Sequence, residues 1–201
     1  MKAEKRFLLH TLLWLPVCFL VWYQLRGLLV VPVLLGLRLL APWLPAVDHI
    51  EYQGDHLAAV LTLRADTLPG LQIPAGKTAE ILVSLDPLAY GYGLALFAAL
   101  LLATPDDHRR WWHWLLGLVV LWLVQLWGLS FELLKNLFFG LPPGLSTGPT
   151  LGDTLKNLVA LGYQFGYLIA PAVVPVGLWM ILQRHWLGEL TPALAQRLKG
   201  R

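Results

Sequence analysis

The sequence predicts a mainly α-helical membrane protein of four transmembrane helices, both termini cytoplasmic, with a small outward-facing β-sheet inserted between spans one and two. Three observations predict it. The chain is 57% hydrophobic and only 13% charged over 201 residues, with ten tryptophans and a mean hydropathy of +0.63; a soluble domain averages about 45–50% apolar and about 25% charged residues. Four segments approach the roughly 20 mostly apolar residues needed to cross a hydrocarbon core about 30 Å thick. Lysines and arginines collect at the two ends of the chain and in one short loop. The same composition excludes a disordered chain, and a single cysteine, Cys18, excludes a disulfide scaffold.

Residues 1–31 hold a basic start, Lys2, Lys5 and Arg6, and the first span, from Phe7 through Leu12, Trp14 and Val17 to about Val31, with Pro16 placed to bend it. Its apolar stretch exceeds the roughly 7–15 residues of a signal-peptide core and no A-x-A-like site follows, so it reads as a retained anchor. Residues 32–46 stay apolar but are interrupted by Pro32, Gly36, Pro42 and Pro45, which predicts a short helix along the outer surface. Residues 47–86 change to alternation and turn signals. Ile50 and Tyr52, then Gly54-Asp55, then Leu57, Val60, Leu61 and Leu63 predict a hairpin, and Ile81 to Leu85 a third strand. A unit of about 40 residues is too small to stabilise itself unaided, so this sheet is expected to rest on the preceding helix or on another protein. Residues 87–104 form the second span, 105–111 a cytoplasmic loop, 112–139 the third span, 140–153 an outer Pro/Gly-rich turn, 154–182 the fourth span and 183–201 a cytoplasmic tail.

Orientation follows from the basic residues, which cytoplasmic segments carry in excess. The amino end, the 105–111 loop and the tail hold nine bases against four acids, a balance of +5; the remaining six bases and eight acids give −2, so the net +3 joins two sides of opposite sign. Trp111, Trp112 and Trp114 then fall at the inner interface.

Spans three and four carry the informative polar residues. If they form an antiparallel pair, residues at equal depth have numbers totalling about 289, which sets Gln125 against Gln164, Glu132 against Asn157 and Asn136 against Asp153. Helical spacing puts Gln125, Glu132 and Asn136 on one face of the third span, and Asp153, Asn157, Ala160, Gln164 and Tyr167 on one face of the fourth. The two stripes are expected to meet, with Glu132 paired to Lys156 and Lys135 to Asp153, because charges in lipid are costly unless paired. Two readings stay open: an outward polar cleft for recognition or catalysis, or polar contacts that hold helices together. On the opposite face Gly162, Gly166 and Ala170 form a small-residue seam that admits a close neighbour, another span of this chain or a partner's helix. No metal site and no cofactor is expected. The six histidines lack ligand spacing, and Cys18 lies mid-span with only His10 near it.

Specific segments carry a resemblance. Thr11-Leu12-Leu13-Trp14-Leu15-Pro16 with Trp22-Tyr23, Asp86-Pro87-Leu88-Ala89-Tyr90-Gly91-Tyr92-Gly93-Leu94, Gln125-Leu126-Trp127-Gly128 with Phe131-Glu132-Leu133-Leu134-Lys135, and Ala160-Leu161-Gly162-Tyr163-Gln164-Phe165-Gly166-Tyr167 resemble, in the same order, the exosortase H-associated membrane proteins of Gram-negative bacteria. The resemblance implies a multi-pass protein of the bacterial inner membrane beside an exosortase, a transpeptidase-like membrane enzyme that processes PEP-CTERM-type sorting signals on exported proteins. It implies the companion and not the enzyme, which is expected to use an intramembrane Cys, Arg and His set that this chain lacks. The function expected is a non-catalytic accessory or assembly subunit, with the lipid bilayer, the exosortase and exported sorting substrates as partners and no nucleic acid. The alternatives are an intramembrane enzyme working in the cleft, with Glu132 as general base, and a small transporter subunit. Against the transporter, only Gln125 and Gln164 reach the midplane.

Overall fold

The computed structural model describes residues 3–44, 47–54, 56–64, 78–105, 111–141 and 152–188. Most of the predicted cytoplasmic loop, the Pro/Gly turn and the tail beyond 188 lie outside the described residues, as does Asp55.

The chain is mainly helical. Helix α1 spans Ala3–Leu29 and tolerates Pro16 without a break. A turn at Val30 separates it from α2, Val31–Leu40, which continues into a 3-10 turn at Ala41–Trp43. Pro32 falls in the first turn of α2, where a missing N–H removes no helical bond. Three strands follow: β1 (Val47–Gln53), β2 (His56–Arg64) and β3 (Thr78–Leu85). Asp86 then caps the short helix α3 (Leu88–Gly91), its Oδ1 accepting the Leu88 N–H at 2.9 Å, and α4 runs over Gly93–Ala103. Helix α5, Trp111–Lys135, winds on as a π-helix over Asn136–Gly140. Helix α6, Asp153–Gln164, passes through a second π segment, Phe165–Ile169, into α7, Ala170–Leu182. Pro171 has no N–H for the carbonyl four residues back, and the wider π turn is one way a helix absorbs that loss.

Three helical stretches are long and apolar enough to cross a membrane: Lys5–Trp43, Trp111–Gly140 and Asp153–Leu182. The predicted second span is the shorter apolar helix Leu88–Ala103.

The chain divides into two compact units. The sheet unit is Gly27–Gly91 with Trp122–Ala170. Its sheet is antiparallel in the order β1-β2-β3, and Gly54 turns the hairpin at φ 64°, a conformation that costs glycine nothing. Alternate residues Ile50, Leu57, Ala59, Leu61, Val83 and Leu85 point to one core, which α2 enters with Val33, Leu34 and Leu37 and α5 with Leu129, Leu133 and Leu137. The undersized sheet is thus completed by the helix before it. Truncating one such buried leucine costs roughly 2–5 kcal/mol.

The helical unit is Met1–Arg26, Tyr92–Leu121 and Pro171–Arg201. Phe7 stacks on Trp179 at 5.3 Å and meets Trp186 edge-on, while Cys18 packs against Ala95 and Ala99. Gly93 lies so near the Pro171 carbonyl that a Cβ would stand 2.7 Å from it, which lets α4 approach the start of α7.

Candidate functional site

The polar residues singled out from the sequence gather around α5 in the sheet unit, but not as two facing stripes. The face of the α6 segment that meets α5 is the small-residue seam. A Cβ on Gly166 would lie 2.9 Å from the Gly128 Cα, and Phe131 occupies the space that a side chain on Gly162 would need. Ala170 is buried as well. Gly162 with Phe131, and Gly166 with Gly128, have numbers totalling about 294, not the expected 289. The shift has a simple cause. Helix α5 extends through its π segment to Gly140 and α6 starts at Asp153, so the turn is centred later than the Pro/Gly cluster suggested.

Asp153, Lys156, Asn157 and Gln164 consequently lie exposed on α6. Lys156 pairs along its own helix with Asp153 at 3.8 Å, and not with Glu132. Lys135 turns to Tyr163 instead of Asp153, its Nζ 4.1 Å from the ring centroid in a cation–π contact. Asn136 starts the π segment.

What does come together is a cluster of aromatic and polar groups. Tyr90, from α3, packs against Gly128, in space a side chain there would fill, and is 2% exposed. Its ring meets Tyr167 edge-on at 5.9 Å, and Tyr167 stacks on Tyr163 at 5.7 Å. Its hydroxyl neighbours the Glu132 carboxylate, which also has Lys135 and Asp86 nearby. One helical turn or two back along α5, Gln125 is 4% exposed and its Nε2 donates to the Pro87 carbonyl at 3.0 Å. Trp127 donates to the Gly162 carbonyl at 3.4 Å, a second tie across the seam. Three buried atoms lack a hydrogen-bond partner among the described residues: the Tyr90 hydroxyl, Gln125 Oε1 and Glu132 Oε2. Buried groups of this kind are normally paired with protein, water or a ligand.

Chemically the cluster offers two carboxylates, one ammonium, one amide and three phenols. Groups of these kinds can bind and orient a neighbouring segment. Among the described residues no group of three His, Cys, Asp or Glu side chains could hold a metal ion.

Tyr90, Gly128, Phe131 and Tyr163 were not read from the sequence as members of a site. Nothing in the spacing marks Tyr90, since one aromatic residue after Asp86-Pro87 resembles any other. Gly128 could have been found by asking which residue allows the Gly162–Gly166 face a close neighbour.

Comparison with known families shows that residues 1–186 fit the family described as exosortase H-associated membrane protein. No curated protein and no solved structure matches the chain.

Proposed function

The chain belongs to the exosortase H-associated membrane protein family, and on that premise we propose that it is a non-catalytic accessory or assembly subunit of an exosortase-type protein-sorting system. The observation that carries this reading is the family match over nearly the whole chain. The character of the cluster around α5 supports it: Lys135 meets Tyr163, Gln125 the Pro87 carbonyl and Trp127 the Gly162 carbonyl, all contacts that hold segments of one chain together.

In this reading the chain spans the bacterial inner membrane four times, with Pro87–Thr104 as the second crossing. Both termini are cytoplasmic, as the +5 and −2 charge balance of the two sides favours. The sheet then stands on the outer side, where the exosortase and its PEP-CTERM-type cargo meet. Detergent co-purification with exosortase H, together with crosslinking in intact membranes, tests the reading. Recovery of the enzyme with this chain is expected; failure of both measurements with the wild-type protein removes the proposal.

A further inference from the structure

The two edges of the sheet are treated differently. Strand β1 is disturbed and covered. Its register shifts between Val47 and His49, it packs on α2 and the 3-10 turn, and the Arg38 side chain donates through Nε to the Ile50 carbonyl at 2.8 Å. Hydrogen-bonded pairs alternate along antiparallel strands. Counted in twos from Gln53↔His56, the pair that closes the turn, Ile50 points its backbone groups away from β2. Arg38 therefore caps one outward carbonyl of β1. A bulge and a covered carbonyl are recognised ways of blunting a sheet edge.

Strand β3 has neither. It pairs with β2 without a register shift from Thr78 to Leu85. The same alternation turns Leu85, Val83, Ile81 and Ala79 toward β2 and leaves the N–H and C=O groups of Thr78, Glu80, Leu82 and Ser84 facing outward. Among the described residues these outward groups make no backbone hydrogen bond. The side chains of Glu80, Leu82 and Ser84 are exposed, Leu82 by 55%. A regular strand with an open edge, a lone apolar side chain and a flanking acid is what strand addition uses. Main-chain bonds give the affinity and alternate side chains the selectivity.

We propose that the open edge of β3 takes up an extended segment of the exosortase partner as a fourth strand, with an apolar residue beside Leu82 and a basic one beside Glu80. The inference rests on the companion reading above, which makes the exosortase the associated protein. Cross-strand apolar and opposite-charge neighbours of this kind are the side-chain contacts that favour such pairing.

Leu82→Pro is the discriminating variant. Its N–H faces outward, so proline at this edge position leaves the pairing with β2 in place and removes one bond of the added strand. Leu82→Thr keeps that N–H. In detergent, Leu82→Pro is expected to reduce co-purified exosortase H about tenfold, a loss of about 1.4 kcal/mol at the conversion of one decade, while Leu82→Thr keeps most of it. A photocrosslinking phenylalanine analogue in place of Leu82, in membranes containing the exosortase, is expected to label that enzyme; the same analogue in place of His49, on β1, is not. Labelling of exported cargo instead of the enzyme overturns the proposal. So does equal enzyme recovery with the proline and threonine variants. Crosslinking from the otherwise wild-type chain decides the matter if Leu82→Pro fails to accumulate. Loss of the enzyme from the wild-type preparation would count against the companion reading itself, whereas retention by Leu82→Pro counts only against the strand.

Discussion

The two units bury polar side chains in different ways. In the helical unit, His113 and Gln183 face each other at 3.2 Å, and Thr104 both accepts from Trp179 Nε1 at 3.0 Å and donates to the Leu100 carbonyl at 3.0 Å. The first two contacts tie segments 70 and 75 residues apart in the chain, and the third lies within one helix. In the sheet unit, Tyr90, Gln125 and Glu132 each keep one buried atom without a partner among the described residues. Where every group is matched, polar atoms act as helix contacts, because an interhelical hydrogen bond replaces one that lipid cannot give. Where atoms are left over, the burial has been tolerated for another reason, or is completed by water.

The largest effect is expected at the glycine seam. Gly166→Leu forces side-chain atoms into the Gly128 backbone, and overpacking of this kind is expected to cost about 3 kcal/mol. Thermal unfolding in detergent should show a pronounced fall in Tm, and an unchanged Tm would mean that α6 and α5 do not approach as described. Next comes the polar comparison itself. Gln183→Leu removes its matched contact with His113, at a cost of about 1.5 kcal/mol. Gln125→Leu loses one bond to Pro87 but also removes an unmatched buried oxygen, so its net cost is expected below about 1 kcal/mol. Measured side by side, equal losses would erase the distinction between the two units.

Glu132→Gln keeps the shape of the side chain and is expected to leave accumulation and exosortase recovery at wild-type levels, with sorting intact in cells. Abolished sorting in a protein that still accumulates and binds its partner would revive the enzymatic alternative. The smallest effect belongs to Lys156→Ala. Its ion pair with Asp153 is exposed, and exposed pairs contribute little, so no measurable change in Tm is expected.

Much of the architecture was legible because it depends on local pattern. Gly54 between two alternating runs produced the hairpin, and Pro32 and Pro42 bracketed α2. The site was less legible. A helical wheel identified two faces on the fourth span, polar and small, without saying which one turns inward. Close packing decided it: Gly162 and Gly166 let α5 approach to backbone contact, which a face carrying Asn157 and Gln164 could not do. Tyr90 then took the place beside Gly128 that no rule of spacing had assigned to it.

By itself, then, the sequence determined the class, the helical stretches and the strands, because hydrophobic length, alternation and turn chemistry are properties of neighbouring residues. Only the tertiary structure decided which faces meet, that Lys135 binds a tyrosine ring and not Asp153, and that Arg38 caps a carbonyl on one sheet edge while no described residue pairs with the other. Those outcomes depend on shape and hydrogen-bond matching between segments remote in the chain, where residues of similar polarity compete for the same partner and packing selects among them.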